Sequence, residues 1–372
     1  MLTTGLISKV FLFGLNKTEL HGLDGFRDLL DERRDVQGRQ RGLITVSNHV
    51  SVVDDPLIWG ALPLQNMLSP DNLRWGLGSY DICFTNNALS TFFSTGQVLP
   101  THRAAHSKFG GLFQPTITEA IRLLCRGPFT PYSEHSTPPS HAPAFNPVVT
   151  DPFSSGQLTY STTGADTFPA PSVYPSRRYS WIHIFPEGKI HQREDKAMRY
   201  FKWGVARLIL ESEPCPAVVP IWIEGIDEVM HESRTFPRFI PRVFKNISIT
   251  FGAPVDTDDI FGDLRQRWQR LRRREEDALQ AGQSGGGGDG AGAGAGAGSF
   301  AVGVLTDRLK YGREAIELRM ECAMRVRAEV LKLRKLRGLP DEDPKASLVE
   351  TWREEGPARE GRMQDGSWVK DT

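Results

Sequence analysis

Gly42-Leu43-Ile44-Thr45-Val46-Ser47-Asn48-His49-Val50-Ser51-Val52-Val53-Asp54-Asp55-Pro56 passes from an apolar, β-branched run directly into a polar turn. A short continuous apolar run bounded by turn residues fits a strand buried on both faces. Trp181–Phe185, Ala217–Ile223 and Ile247–Phe251 read the same way. Helical spacing lies between them: Ile117, Ile121 and Leu124 within Thr116–Cys125, and Val205, Leu208 and Ile209 within Phe201–Glu211. Strands alternating with helices predict an α/β domain with a mostly parallel or mixed sheet flanked by helices.

The rest of the 372-residue chain sets the limits. Hydrophobic residues are 39% and charged residues 24%, which excludes a wholly disordered, fibrous or polytopic membrane chain. Forty-five basic residues balance forty-five acidic ones, so no global field draws in nucleic acid. Cys83, Cys125, Cys215 and Cys322 lie far apart, as expected of isolated thiols rather than a disulfide framework. Met1–Leu15 is apolar apart from two Thr, Ser8 and Lys9, too short to span a bilayer. It fits a helix lying on a membrane, or equally one docked on its own domain.

Two stretches lack the composition of a core. From Phe129 to Ser176 there is no Lys or Arg, and Pro, Ser and Thr dominate; an insertion at about 128–178 is expected to be a long loop. Residues 276–300 are rich in Gly and read as a linker. Beyond it, residues 301–339 form a basic amphipathic helix, with ten Lys and Arg against five Asp and Glu over 302–337. That pattern suits an anionic membrane surface or packing on the parent domain. Residues 340–372 read as a disordered tail, 1–20 as the apolar N-terminal segment and 21–275 as the main domain.

The chemistry concentrates after two of the strands. His49 and Asp54 are five positions apart. If a helix starts near Asp54, its carboxylate can fold back to the imidazole, fix the tautomer and leave Nε2 as a base. Ser51 and Asp54 also fit a plain helix cap, with His49 structural. Phe185-Pro186-Glu187-Gly188-Lys189 leaves a second strand, and Lys189, Arg199 and Lys202 add positive charge. A phosphate cradle and an ordinary strand-to-helix turn both fit.

Taken together, Asn48-His49 with Asp54 and Phe185–Gly188 resemble the glycerolipid acyltransferase superfamily, over roughly Met1–Asp256. The closer likeness is to the tafazzin family, carried by Ile44–His49, Asp54–Gly60, Asp81–Thr85, His183–Lys189 and Arg199–Val205. The resemblance implies a single acyltransferase-like domain and an enzyme that moves an acyl chain from a phospholipid to a lysophospholipid. It implies His49 as catalytic base and Asp54 as its partner. Arg103, Glu187, Gly188, Lys189, Arg199 and Pro220 become the expected substrate-binding residues. It implies no metal, no cofactor and no acyl-CoA. It further implies cardiolipin remodelling on mitochondrial membranes facing the intermembrane space, without a spanning helix. Val50, Val53 and His102 depart from the family pattern, and the Pro-rich insertion and Gly-rich linker are not features of it. An acyl-CoA-dependent lysophospholipid acyltransferase or a non-catalytic membrane adaptor on the same fold are the alternatives.

Overall fold

The computed structural model describes residues 1–129, 158–284, 300–353, 360–362 and 368–370. Its seven-stranded sheet consists of β1 (Lys17–His21), β2 (Leu43–Ser47), β3 (Arg74–Ser79), β4 (Val98–Thr101), β5 (Trp181–Ile184), β6 (Ala217–Glu224) and β7 (Asn246–Phe251). The spatial order is β1-β7-β6-β2-β5-β3-β4, parallel throughout except between β6 and β7. The opening apolar run is therefore the centre of the sheet, and all five residues of β2 are buried.

The helices are α1 (Leu2–Gly14), α2 (Leu23–Glu32), α3 (Asp54–Gly60), α4 (Tyr80–Cys83), α5 (Asn87–Thr95), α6 (Pro115–Leu124), α7 (Gly204–Glu211), α8 (Ile226–Val229), α9 (Thr257–Ser284), α10 (Asp307–Tyr311), α11 (Arg313–Leu336) and α12 (Val349–Arg353). Helices α6, α7, α9 and α11 cover one sheet face, in a core that includes Ile121, Leu208, Trp268, Val326 and Val330. Helices α1, α2 and α3 cover the other, with Leu12, Phe26, Ile58 and Trp59 packed on Trp181 and Val219.

Three regions differ from the sequence expectation. The basic segment is two helices, α10 and α11, and α11 is part of the core. Leu318, Cys322, Val326 and Val330 are fully buried, while Met320 faces out. Burying such side chains is worth about 1.5–3 kcal/mol each, against about 1 kcal/mol per basic residue at an anionic surface. The arginines are satisfied internally as well: Arg319 donates to Leu309 O and Lys310 O, and Arg327 to Met198 O and Arg199 O.

Second, part of the insertion is packed. Tyr160, Ala170 and Val173 form a small core, and Ser172 Oγ donates to Glu119 Oε2 at 2.6 Å. Leu158, Phe168 and Tyr174 pack against that core, enough for local burial; residues 130–157 lie outside the described residues. Third, the outer boundaries shift. Helix α9 continues through Ser284 into the expected linker, whose remaining residues to 299 lie outside the described residues. The expected tail is ordered as far as α12 because Trp352 is buried against Ala197 and Ala346.

Candidate active site

Strands β2 and β5 run side by side in parallel, so their C-terminal ends open at the same edge of the sheet, where ligands bind in open α/β sheets. As the chain leaves β2, the Asn48 side chain locks onto β6: Nδ2 donates to Ile223 O at 2.9 Å and Oδ1 accepts from Ile223 N at 2.8 Å. This fixes the exit direction of the next residue, His49.

Asp54 opens α3 and folds back over the turn. Its Oδ2 lies 2.9 Å from His49 Nδ1 and accepts from the amides of Val50 at 2.7 Å and Ser51 at 2.8 Å. A carboxylate oxygen only accepts, so Nδ1 carries the proton and Nε2 is left as the basic nitrogen. Asp54 Oδ1 is buried with no hydrogen-bond partner among the described residues. Burial pushes the Asp54 carboxyl above the ordinary range, against the pull of His49 and the two amides. Val53 is the N-cap of α3 and no side chain caps it, so Asp54 serves the turn before the helix and the imidazole rather than a helix cap.

Glu187 braces the same turn from β5. Its Oε1 accepts from His49 N at 2.7 Å and its Oε2 from Arg199 N at 2.8 Å. Both oxygens face protein amides, and the residue is buried. Burial pushes its pKa up to about 8, opposed first by the Arg199 and His49 amides and then by the charges of Arg327 and Arg199. Phe185 stacks on the His49 ring at 4.3 Å. Beneath them His183 is neutral, its pKa lowered to about 3 by burial, with Nδ1 2.9 Å from Thr45 Oγ1.

A cleft of about 910 Å³ opens in front of His49. One wall is apolar, built from Leu77, Ile82, Phe93 and Val98. Gly76 and Gly78, two apart on β3, also line it, and a side chain at position 78 would run into Val98 and Cys83. The opposite corner is cationic. Arg103, Gly188 and Lys189 line it, and Gly188 adopts a left-handed φ of 61°. Burial lowers the Lys202 pKa, followed by the charges of Arg199, Arg103 and Lys189. Against this cluster Asp81 accepts from Arg103 Nε at 3.1 Å and from Nη2. Arg103 Nη1 has no hydrogen-bond partner among the described residues, and the surplus positive charge suits an anion.

Of the expected site residues, His49, Arg103, Gly188 and Lys189 line the cleft, and Asp54 stands behind His49. Glu187 acts on the backbone behind the wall, and the Arg199 guanidinium lies over Trp352 at 4.5 Å. Pro220 is not brought to the cleft; it lies in β6 against Gly252, near Leu333 of α11. The sequence reading missed the rim: Arg234, Phe236, Arg238 and Phe239 edge the cleft. Exposed aromatics between arginines in the 234–244 segment were the available signal. Among the described residues, no group of three or more His, Cys, Asp or Glu is placed to hold a metal ion.

No protein-family model matches the chain. It is 35% identical over 367 residues to tafazzin of Saccharomyces cerevisiae, covering 95% of this chain and 81% of that protein. It is 30% identical over 266 residues to tafazzin of Drosophila melanogaster, covering 71% and 52%. It is 32% identical over 247 residues to N-acylphosphatidylethanolamine synthase of Arabidopsis thaliana, covering 65% and 64%. Among solved structures, the 1-acyl-sn-glycerophosphate acyltransferase PlsC of Thermotoga maritima aligns over 75% of this chain and 78% of that one, at 14% identity and a TM-score of 0.39.

Proposed function

The chain belongs to the tafazzin family of acyltransferases, and from that premise we propose that it transfers an acyl chain from a phospholipid to a lysophospholipid without CoA. The observation that carries the reading is the His49–Asp54 pair at the mouth of a cleft with one apolar and one cationic wall.

His49 Nε2 takes the proton of the lysophospholipid hydroxyl as its oxygen attacks the ester carbonyl of the donor. The tetrahedral intermediate collapses, the donor's glycerol oxygen leaves, and it recovers the proton from His49. Asp54 holds the tautomer and steadies the imidazolium. Arg103 and Lys189 bind the phosphate, and the apolar wall takes the acyl chain. Glu187 serves by orienting the His49 backbone rather than by touching the phosphate. Fixing both lipids at the base replaces much of the entropic barrier.

The lipid reaches this cleft from a membrane surface. Among the described residues no helix is long and apolar enough to cross a membrane. Exposed Ile7 and Val10 on α1 and exposed Phe236, Phe239 and Phe244 near the cleft support interfacial docking. The outward face of α1 is its membrane-associated surface; residues 17–20 of the expected segment are instead part of β1 in the sheet. The compartment we assign is mitochondrial, on membranes facing the intermembrane space, with cardiolipin remodelling as the physiological outcome.

The test is transfer between labelled phosphatidylcholine and monolysocardiolipin in vesicles free of CoA. Wild type should transfer label, and His49→Ala should lose about 10³-fold or more. Transfer only when acyl-CoA is supplied would replace this reading with the CoA-dependent one. Near-normal turnover by His49→Ala would end the mechanism.

A further inference from the structure

The described part of the insertion reaches the active site through one carboxylate. Asp166 closes the turn that begins at Ser161, accepting from the amides of Thr162 at 2.7 Å and Thr163 at 2.9 Å and from Ser161 Oγ at 2.8 Å. It also accepts the Thr162 hydroxyl proton. Thr162 Oγ1 in turn lies 2.7 Å from His102 Nε2. With its own proton given to Asp166, Thr162 can only accept from the ring, so His102 carries its proton on Nε2. The Tyr80 ring stacks on His102 at 4.2 Å, and burial, then the Asp166 charge, holds the Tyr80 phenol above its ordinary pKa.

Tyr80 and His102 immediately precede Asp81 and Arg103, the ion pair in the cationic corner. The Asp166–Thr162 turn therefore fixes His102, the residue before Arg103, and through the stacked ring it fixes Tyr80, the residue before Asp81. Arg103 has Nε and Nη2 committed to Asp81, so the direction of its remaining donor is the direction of the pair. An arginine fork is only as selective as its orientation is fixed, and small displacements of a binding group are costly.

We propose that Asp166, acting through Thr162–His102 and Tyr80, is a positioning residue that aims Arg103 at the lipid phosphate. This rests on the reading of Arg103 as a phosphate ligand. The insertion is then a brace of the substrate site rather than an accessory loop.

The experiment titrates dihexanoylphosphatidylglycerol, soluble as a monomer, into the full chain by calorimetry. Asp166→Asn and Thr162→Val should each weaken Kd about tenfold, the size of one displaced charged hydrogen bond. Thr162→Ser keeps the hydroxyl and should stay within about twofold of wild type. Arg103→Gln should weaken binding, and Asp166→Asn should add nothing in that background, since coupled residues are not additive. In turnover, Asp166→Asn should raise KM with kcat nearly unchanged, the signature of lost uniform binding.

Wild-type affinity in Asp166→Asn, or an equal loss in both Arg103 backgrounds, overturns the inference. If Asp166→Asn does not fold, equal affinities of Thr162→Ser and Thr162→Val overturn it. Unchanged binding by Arg103→Gln would instead remove the phosphate reading beneath it, and the positioning role would fall with it.

Discussion

Helix α1 at the start of the chain and helix α11 near its end both carry a composition that suits a membrane, and the fold uses them in opposite ways. On α1 the small residues face inward. Gly5 sits against Met67, and Ser8 against Gly60, leaving no room for larger side chains. Leu12 also packs inward, and most of the other bulky residues face outward, with Ile7 66% and Val10 56% exposed. On α11 the apolar stripe is consumed by the core and the arginines by carbonyls and carboxylates. Arg325, for example, pairs with Asp263 and Glu321. A basic helix binds anionic lipid only with the charges left after internal partners are served. The contrast teaches that neither charge nor hydropathy of a helix reveals its location; the size of the residues that touch the domain does, since small ones permit close docking with large ones outside.

The sharpest way to break this contrast is to place one charge on each helix. Val326→Asp puts an unpaired carboxylate in the core and should cost about 3–5 kcal/mol, seen as a collapse of the melting temperature or loss of soluble protein. Ile7→Asp should change stability by no more than about 0.5 kcal/mol. A reversed order would mean that α1 is the packed helix. Vesicle flotation then turns the comparison round. The double change Ile7→Asp with Val10→Asp should reduce partitioning by about a hundredfold, since two apolar side chains at roughly 1.5 kcal/mol or more each no longer enter the interface. Unaltered flotation would remove α1 from the membrane surface.

A third test follows α11 to the site, because the Arg327 charge acts on Glu187. The folded-state pKa of Glu187, about 8, lies above its ordinary 4.5. Between those values the folded chain holds a proton that the unfolded chain has released. Its contribution to stability is therefore full below about pH 4.5 and declines as pH rises toward 8, by at most about 1.4 kcal/mol per pH unit. Melting temperatures from about pH 5 to pH 8 should show this decline in wild type and a flatter profile in Glu187→Gln. The smallest effect is electrostatic. Arg238→Gln with Arg242→Gln, beside the cleft, should lower vesicle binding at low salt by about 1 kcal/mol per charge. Arg313→Gln with Lys335→Gln on α11 should leave it unchanged. Equal losses from both pairs would restore α11 as a membrane contact.

Legibility in the sequence followed locality. Strands β2, β5, β6 and β7 were readable because continuous apolar runs mark strands buried on both faces. Strand β1 alternates Lys, Thr, Glu, Leu and His at the sheet edge. Strand β3 carries two glycines and β4 a proline. None of the three has the hydrophobic density that the pattern needs. His49 and Asp54 were readable because five positions of one turn hold both. The Arg103–Asp81 pair was not, since 22 residues separate its members and only the pairing of β3 with β4 joins them. Glu187 was visible as a motif residue, but its attachment to the amides of His49 and Arg199 is a product of packing.

The placement of α11 also governs when the protein can become itself. Translation delivers the chain from the N-terminus at about 5–20 residues per second. The sheet face that α6 and α7 begin to cover stays open until Val326, Val330 and Leu333 have been made. The nascent domain therefore spends about 5–20 s with its central strands complete and one side unsealed. Unsealed apolar strands are the usual target of holding chaperones and the usual seed of aggregation. A premature stop between Phe239 and α11, which spares every residue lining the cleft, would release a chain permanently in that state.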